Sequence, residues 1–383
     1  MLQWARDRSG KTDDAFAEKF KKWPEWMATP NPELTYPQLK TFAKFAHVPF
    51  GYLFLEEPPR EQLPIPDFRA GRGHASTFSV DLLDTIHLNQ MRQTWYEDYL
   101  SEFDDDDHLS FPGSARQLTP AAAAKRLIDE LHYSVAERQQ LRTRAEARKY
   151  LIETFEGLGG LVVTNSVVGN NNHRPLDIEE FRGFTLHSSR APLVFINSRD
   201  TLNGQIFSLL HEFAHVWRGE SGVSAGGTPL ERRLHPHEVW CDDVAAEVLV
   251  PASDLKAHVA TLATANTPLA RLGTGELDAL ADRYLCSTLV VLIRLKDLGY
   301  LPRKNFDAIY DAEVARLIEL APPERPSGGN FYATQRLRIG DTLSRAIIAD
   351  TQSLRTPMTH ALDLLGIKST ETFDKYAQYL GEG

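Results

Sequence analysis

The sequence predicts an α+β fold in which a small antiparallel sheet lies beside helices, flanked by helical N- and C-terminal domains. Three observations carry this expectation. Short runs at 161–164, 183–186 and 192–196 have the length and composition of strands. A helical pattern from Leu202 through Trp217 places Ile206, Leu209, Leu210, Phe213, Ala214 and Val216 around so much of its surface that the helix should be buried at the centre. Prolines and glycines divide the remainder into helical stretches on either side.

Taken in order, residues 2–54 suggest several short helices. Their apolar positions are Leu2, Trp4 and Ala5, then Phe16, Ala17 and Phe20, then Leu39, Phe42, Ala43 and Phe45, with Pro24, Pro30, Pro32, Pro37 and Pro49 between them. Trp4, Phe16, Phe20 and Phe42 read most simply as a core. Pro58, Pro59, Pro64 and Pro66 among charged residues mark a linker and a boundary. A long helix is expected over 79–100, ending before the acidic run 104–107, which reads as a solvated loop because adjacent carboxylates repel and diverge. Another helix covers 145–158, and Gly159 and Gly160 close it ahead of the first strand. Residues 219–229 read as a Gly- and Ser-rich loop, 236–249 as a helix stopped by Pro251, and 277–298 as two shorter helices about Cys286 and Ser287. A linker is expected over 322–329. The last eighty residues are helical in pattern, and Arg336, Arg338, Arg345 and Arg355 there suggest a solvated face. The expected domains are 1–60, 61–144 (linker and helical segment), 145–302 and 303–383.

Composition narrows the setting. The formal charge of −10 gives no global footprint for nucleic acid. Two cysteines, Cys241 and Cys286, provide neither a disulfide framework nor a thiolate metal cluster. The charged N-terminus has no apolar signal core, and no apolar run approaches the roughly 20 residues that span a bilayer. A soluble, cytoplasmic protein without membrane partners is expected.

The chemistry centres on His211-Glu212-Phe213-Ala214-His215. Two histidines at i and i+4 project from one helix face and can share a cation, while Glu212 reaches a water on that cation and can act as general base. The third ligand must come from elsewhere. A metzincin would need Gly at Arg218 and His at Ser221, so that extension is absent. Downstream, Glu238 and Asp242 stand four apart on a predicted helix. Glu238 can then complete the metal set while Asp242 hydrogen-bonds the distal nitrogen of a ligand histidine, which is a gluzincin arrangement. His235 and His237 are rival third ligands at a loop-to-helix junction, and Glu247 reads as a structural or surface carboxylate. Two histidines and one carboxylate leave a coordination position open, as catalytic zinc requires; Mn2+ is the alternative metal. Tyr284 and His173 are uncommitted candidates for stabilising an oxyanion.

The stretches Phe207-Ser-Leu-Leu-His-Glu-Phe-Ala-His215 and Glu238-Val-Trp-Cys-Asp-Asp-Val-Ala-Ala-Glu-Val-Leu-Val-Pro251 resemble the ImmA/IrrE family of metallopeptidases. In the second, Cys241, Asp242 and Val244 replace the family's Ala, Asn and Phe. The likeness spans roughly 145–302, including Arg182-Gly183-Phe184, Pro192-Leu-Val-Phe-Ile-Asn197, Leu280-Ala-Asp-Arg-Tyr-Leu-Cys-Ser287 and Arg294-Leu-Lys-Asp-Leu-Gly299.

The first seventy residues resemble the Cro/repressor-type helix-turn-helix that precedes the peptidase in longer members. The carriers are Leu2-Gln-Trp-Ala-Arg-Asp-Arg-Ser-Gly10, Tyr36-Pro-Gln-Leu-Lys-Thr-Phe-Ala43, Val48-Pro49, Tyr52-Leu-Phe-Leu55 and Ile65-Pro-Asp-Phe-Arg69. Where a recognition helix should lie, residues 21–32 offer Trp23, Pro24, Trp26, Pro30 and Pro32 but few side chains for base edges. DNA binding through 1–60 therefore stands beside a degenerate scaffold or dimerisation module.

The resemblance implies a zinc endopeptidase whose protein substrate is a repressor, a stress regulator or the product of an adjacent gene. Residues 192–197 would hold that substrate by edge pairing. The alternative is an antitoxin-like or DNA-binding regulator with a structural or vestigial metal site. A hydrolase of small molecules has no support outside the metal motif.

Overall fold

The computed structural model describes residues 1–30, 32–69, 78–102, 108–225, 235–264, 273–301, 304, 306–320 and 330–381. The acidic run 104–107, the linker 322–329 and the end of the loop expected at 219–229 lie outside the described residues. The chain divides into two compact units, residues 1–64 with 75–87, and residues 65–74 with 88–383.

The first unit is helical: α1 (Leu2–Ser9), α2 (Asp13–Lys19), α3 (Trp23–Ala28), α4 (Tyr36–Ala46) and a 3-10 turn at Phe50–Phe54. Phe16, Phe20 and Phe42 are buried together as expected, with Trp4 packed at the margin. Trp23 and Trp26 join them, the Trp23 ring lying 4.6 Å from Phe16. Pro24 sits in the first turn of α3 and begins that helix where the sequence suggested a break. Both tryptophans of the segment proposed for recognition are thus spent on the core.

In the second unit a four-stranded sheet has the order β1-β5-β4-β6, with β1 (Leu161–Asn165), β4 (Phe181–Leu186), β5 (Leu193–Asn197) and β6 (Gly222–Ala225). A separate hairpin joins β2 (Val167–Val168) to β3 (Asn171–Pro175). The sheet departs from the antiparallel expectation. β4 runs antiparallel to both β5 and β6, whereas β1 runs parallel to β5, since β4 reverses the chain and β5 restores the direction of β1. Where only a loop was expected after Gly219, β6 pairs with β4.

Before this sheet come α5 (Val80–Ser101), α6 (Pro120–Leu131), α7 (Val135–Arg138) and α8 (Arg144–Gly157). Helix α9 (Leu202–Arg218), started by the Thr201 side chain accepting from the Gly204 amide, is buried from Gln205 to Trp217 and packs on β4, β5, α6, α8 and α10 (Pro236–Leu249). Val162, Val194 and Ile196 turn toward α9 and share its core. Phe184 and Phe195 alternate to the other side, their rings stacked 4.8 Å apart. The two expected helices near Cys286 are α12 (Thr274–Tyr284) and α13 (Thr288–Asp297), preceded by α11 (Ala252–Thr264).

The C-terminal helices are α14 (Phe306–Leu320), α15 (Phe331–Ile339), α16 (Asp341–Gln352), α17 (Met358–Leu365) and α18 (Thr370–Gly381). They belong to the same unit as the sheet. α15 packs against β1, the Arg92 guanidinium donates to the Leu364 carbonyl at 2.9 Å, and Asn170 donates to Gln335 at 2.8 Å. Gly340, between α15 and α16, comes so close to β1 and α8 that a Cβ on it would fall 2.5 Å from the Val162 carbonyl and 3.1 Å from Glu156 Oε1. Among the described residues no helix is long and apolar enough to cross a membrane.

Candidate metal centre

One turn of α9 separates His211 from His215, and both rings are fully buried. Helix α10 opens with Pro236 at its first turn, which brings Glu238 into that turn and Asp242 one turn on; Cys241, Ala245 and Val248, on the same and the adjoining face, are buried in the core. The facing helices bring His211, His215 and Glu238 into one buried group, with a ligand atom of each within 4.8 Å of the others. His215 Nε2 lies 3.2 Å from His211 Nε2 and 3.1 Å from Glu238 Oε1, and His211 Nε2 lies 3.3 Å from Glu238 Oε2.

Asp242 Oδ1 stands 2.9 Å from His211 Nδ1, so a proton on Nδ1 leaves the Nε2 lone pair directed at the group. Glu238 Oε2 lacks a hydrogen bond despite complete burial. Converging nitrogen and carboxylate lone pairs, one of them orphaned, fit a divalent cation.

The electrostatics point the same way. Burial alone would lower the His211 pKa, but the Glu238 charge and the Asp242 hydrogen bond outweigh it and push the imidazole up to about 10. Burial would raise Glu238, yet the two histidines hold its carboxyl well below the usual range. A proton and a metal ion would compete for the same lone pairs.

Glu212 stands apart from the ligand set. Its Oε2 and its own carbonyl both accept from the Thr185 hydroxyl, at 2.8 and 3.1 Å, while Oε1 has no hydrogen bond. Burial pushes its carboxyl above the usual carboxylate range, against the pull of the two histidines. Space for this side chain depends on Gly183: a Cβ there would fall 2.8 Å from both Glu212 Oε1 and the Phe195 carbonyl. Gly183 and Thr185 face α9 together because they alternate along β4.

The rival histidines take no part in this group. His237 Nδ1 pairs with Glu220 at 2.6 Å, and Glu220 also binds Arg218. His235 accepts the His237 amide at the start of α10. Glu247 pairs with Arg294 and accepts from the Ala252 amide, a structural use. The Tyr284 hydroxyl donates to Asp254 at 2.8 Å, and His173 lies exposed on β3. Residues 192–197 supply β5, whose two edges are taken by β1 and β4, so the edge pairing with substrate expected there is ruled out.

Sequence reasoning gave no role to Thr185 or Phe68. Strand alternation from Gly183 would have put Thr185 on the same face, but which helix lay beneath was not legible. Phe68, read as part of the N-terminal likeness, stacks on His215 with ring centroids 5.6 Å apart.

Residues 169–296 match the model of the Peptidase_M78 family, described as the IrrE N-terminal-like domain. That span includes β4, β5, β6, α9 and α10. Residues 339–379 match a domain of unknown function, DUF8813. No curated protein and no solved structure matches the chain.

Proposed function

We propose that this chain is a zinc-dependent endopeptidase of the gluzincin type, with His211, His215 and Glu238 as the metal ligands, Glu212 as the general base and Asp242 as the residue orienting His211. The observation that carries the reading is the buried His211–His215–Glu238 group beside a separately held carboxyl, within a stretch similar to a metallopeptidase family. Zinc bound there would keep one position open, polarise a carbonyl and acidify a water.

The protein's own groups do the rest. Thr185 fixes Oε2 of Glu212, so Oε1, which has no hydrogen bond, is the atom that takes the proton of the attacking water. The raised pKa of Glu212 suits it to return that proton to the departing amine. Asp242 holds the His211 ring, and the apolar core of α9 and α10 keeps bulk water from the ligand side. The substrate in this reading is a repressor or stress regulator, and the setting is the cytoplasm.

The test is Glu212→Gln in zinc-loaded protein, assayed on a quenched fluorescent peptide library and on the products of adjacent genes. Metal content should stay at one per chain while hydrolysis falls by about 100-fold to 10,000-fold. Equal hydrolysis by wild type and variant, or none by the zinc-loaded wild type, would refute the peptidase reading.

A further inference from the structure

Strand β6 is the last strand of the sheet on the side away from β1, and its outer edge is covered by the chain itself. Val223 donates its amide to the Pro66 carbonyl at 3.0 Å and accepts from the Phe68 amide at 3.2 Å, so residues 66–68 lie parallel to β6 as a bridge centred on Asp67. Ile65 is buried just before this bridge. Arg69, just after it, pairs with Asp67 at 2.8 Å and with Glu180 at 3.1 Å, immediately before β4. A five-residue stretch is therefore anchored at both ends and hydrogen-bonded along its middle.

Its one aromatic side chain lies against the metal-ligand group. The Phe68 ring is nearly parallel to His215, with a 6° interplanar angle, and its centroid is 4.9 Å from His235 and 5.7 Å from His237. Gly222 forms the floor: a Cβ there would come within 2.1 Å of Phe68, so only bare backbone admits the ring. The slot has a histidine from α9 on one side, two from the start of α10 on another, and an edge strand whose Val223 amide and carbonyl face outward. An extended peptide that adds to a sheet edge and seats one side chain in a pocket needs these elements.

We propose that the outer edge of β6 and the slot over Gly222 form the substrate channel, that the slot takes an aromatic side chain of an extended protein segment, and that Pro66–Arg69 occupies this channel in cis as an autoinhibitory strap. The proposal rests on the peptidase reading of the neighbouring metal centre. Substrate and strap compete for the same two hydrogen bonds of Val223 and the same slot, so the apparent affinity for a substrate segment is reduced by the fraction of time the strap is open.

The experiment uses the full chain loaded with zinc. The probe is a fluorescein-labelled peptide copying residues 62–69, followed by anisotropy, with a second peptide carrying Ala in place of its Phe. Phe68→Ala should bind the first peptide at least about tenfold more tightly than wild type, as expected for a strap closed nine-tenths of the time, and should bind the second peptide weakly. Phe68→Trp, which refills the slot, should behave as wild type. Withdrawal of zinc by excess chelator should be several-fold faster in Phe68→Ala.

If circular dichroism shows Phe68→Ala misfolded, Arg69→Ala, which frees the segment from Glu180, serves in its place with the same expectations. Equal peptide binding and equal zinc withdrawal in wild type and opened variant would overturn the strap. Hydrolysis of the peptide library is read in parallel and separates the two readings. Hydrolysis that depends on Glu212 but is unchanged by opening, with unchanged peptide binding, sinks the strap and spares the peptidase. Tight peptide binding without any hydrolysis keeps the binding channel and sinks the peptidase.

Discussion

Gly183→Ala isolates the link between the sheet and the proposed base. The added methyl would lie 2.8 Å from the Phe195 carbonyl and 2.8 Å from Glu212 Oε1, against the 3.4 Å at which ordinary contact begins, a shortfall of about 0.6 Å on two sides. One neighbour is backbone of a central strand and cannot move without disturbing β5, so the Glu212 carboxylate must give way. Overpacking of this kind costs about 1–3 kcal/mol, visible as a fall of several degrees in Tm.

Displacing a positioned base by a comparable distance costs on the order of 100-fold in kcat/KM. Zinc content should be unchanged, because the three proposed ligands are held by α9 and α10 through contacts that the methyl does not touch. The decisive arm is the double variant with Glu212→Gln. If the methyl acts through the carboxylate, the pair should be no slower than Glu212→Gln alone. Wild-type Tm and kcat/KM in Gly183→Ala, or fully multiplicative losses in the double variant, would refute the reasoning.

The other expectations are shorter. His211→Ala, His215→Ala and Glu238→Ala should each lose stoichiometric zinc by elemental analysis while His235→Ala and His237→Ala retain it, and the reverse pattern would show the ligand set to be wrong. Arg138, buried, donates to the Val248, Leu249 and Tyr284 carbonyls at 3.1, 2.8 and 3.0 Å and so caps the end of α10; Arg138→Ala should cost about 3 kcal/mol in urea unfolding, and a loss below 1 kcal/mol would show that water replaces it. Burial, with Asp341 adding to it, pushes Glu156 up from the ordinary 4.5 to about 7. The folded state therefore holds the extra proton between those values, and stability should fall by about 3 kcal/mol as pH rises from 4.5 to 7.5. Glu156→Gln should flatten that part of the profile, which a pH series of denaturation midpoints would reveal.

The parts of the site that were legible in the sequence are those set by spacing along one element. Four residues separate His211 from His215, and Glu238 from Asp242, and a helix turns both separations into shared faces whatever surrounds it. The buried centre was also visible, because α9 is apolar nearly all round. What could not be read were relations between elements. The parallel pairing of β1 with β5 depends on how many times the chain reverses between them, and β5 became interior because β1 came to lie beside it. Residues 192–197 are apolar throughout, which fits a strand covered on both faces and says nothing about its edges. Thr185 and Phe68 reach the site through strand partners that no local pattern specifies. Pro24 misled for a different reason: proline interrupts a helix interior but suits a first turn, and only the fold decides which position it holds.

The contacts of β1 with the C-terminal helices bear on how the protein can be divided. A strand at the margin of a sheet offers its amides and carbonyls to any chain that passes, and proteins hide such margins to avoid sticking to one another. Here α15 packs against the strand, and the turn at Gly340 comes so close that a side chain on it would strike the Val162 carbonyl. The stretch similar to the peptidase family runs from residue 169 to 296, so it contains neither β1 nor the helices beyond residue 330 that cover that strand. A fragment cut to the borders of the family likeness would keep every proposed catalytic group but lose β1 together with its cover, baring the edge of β5, so it should be aggregation-prone.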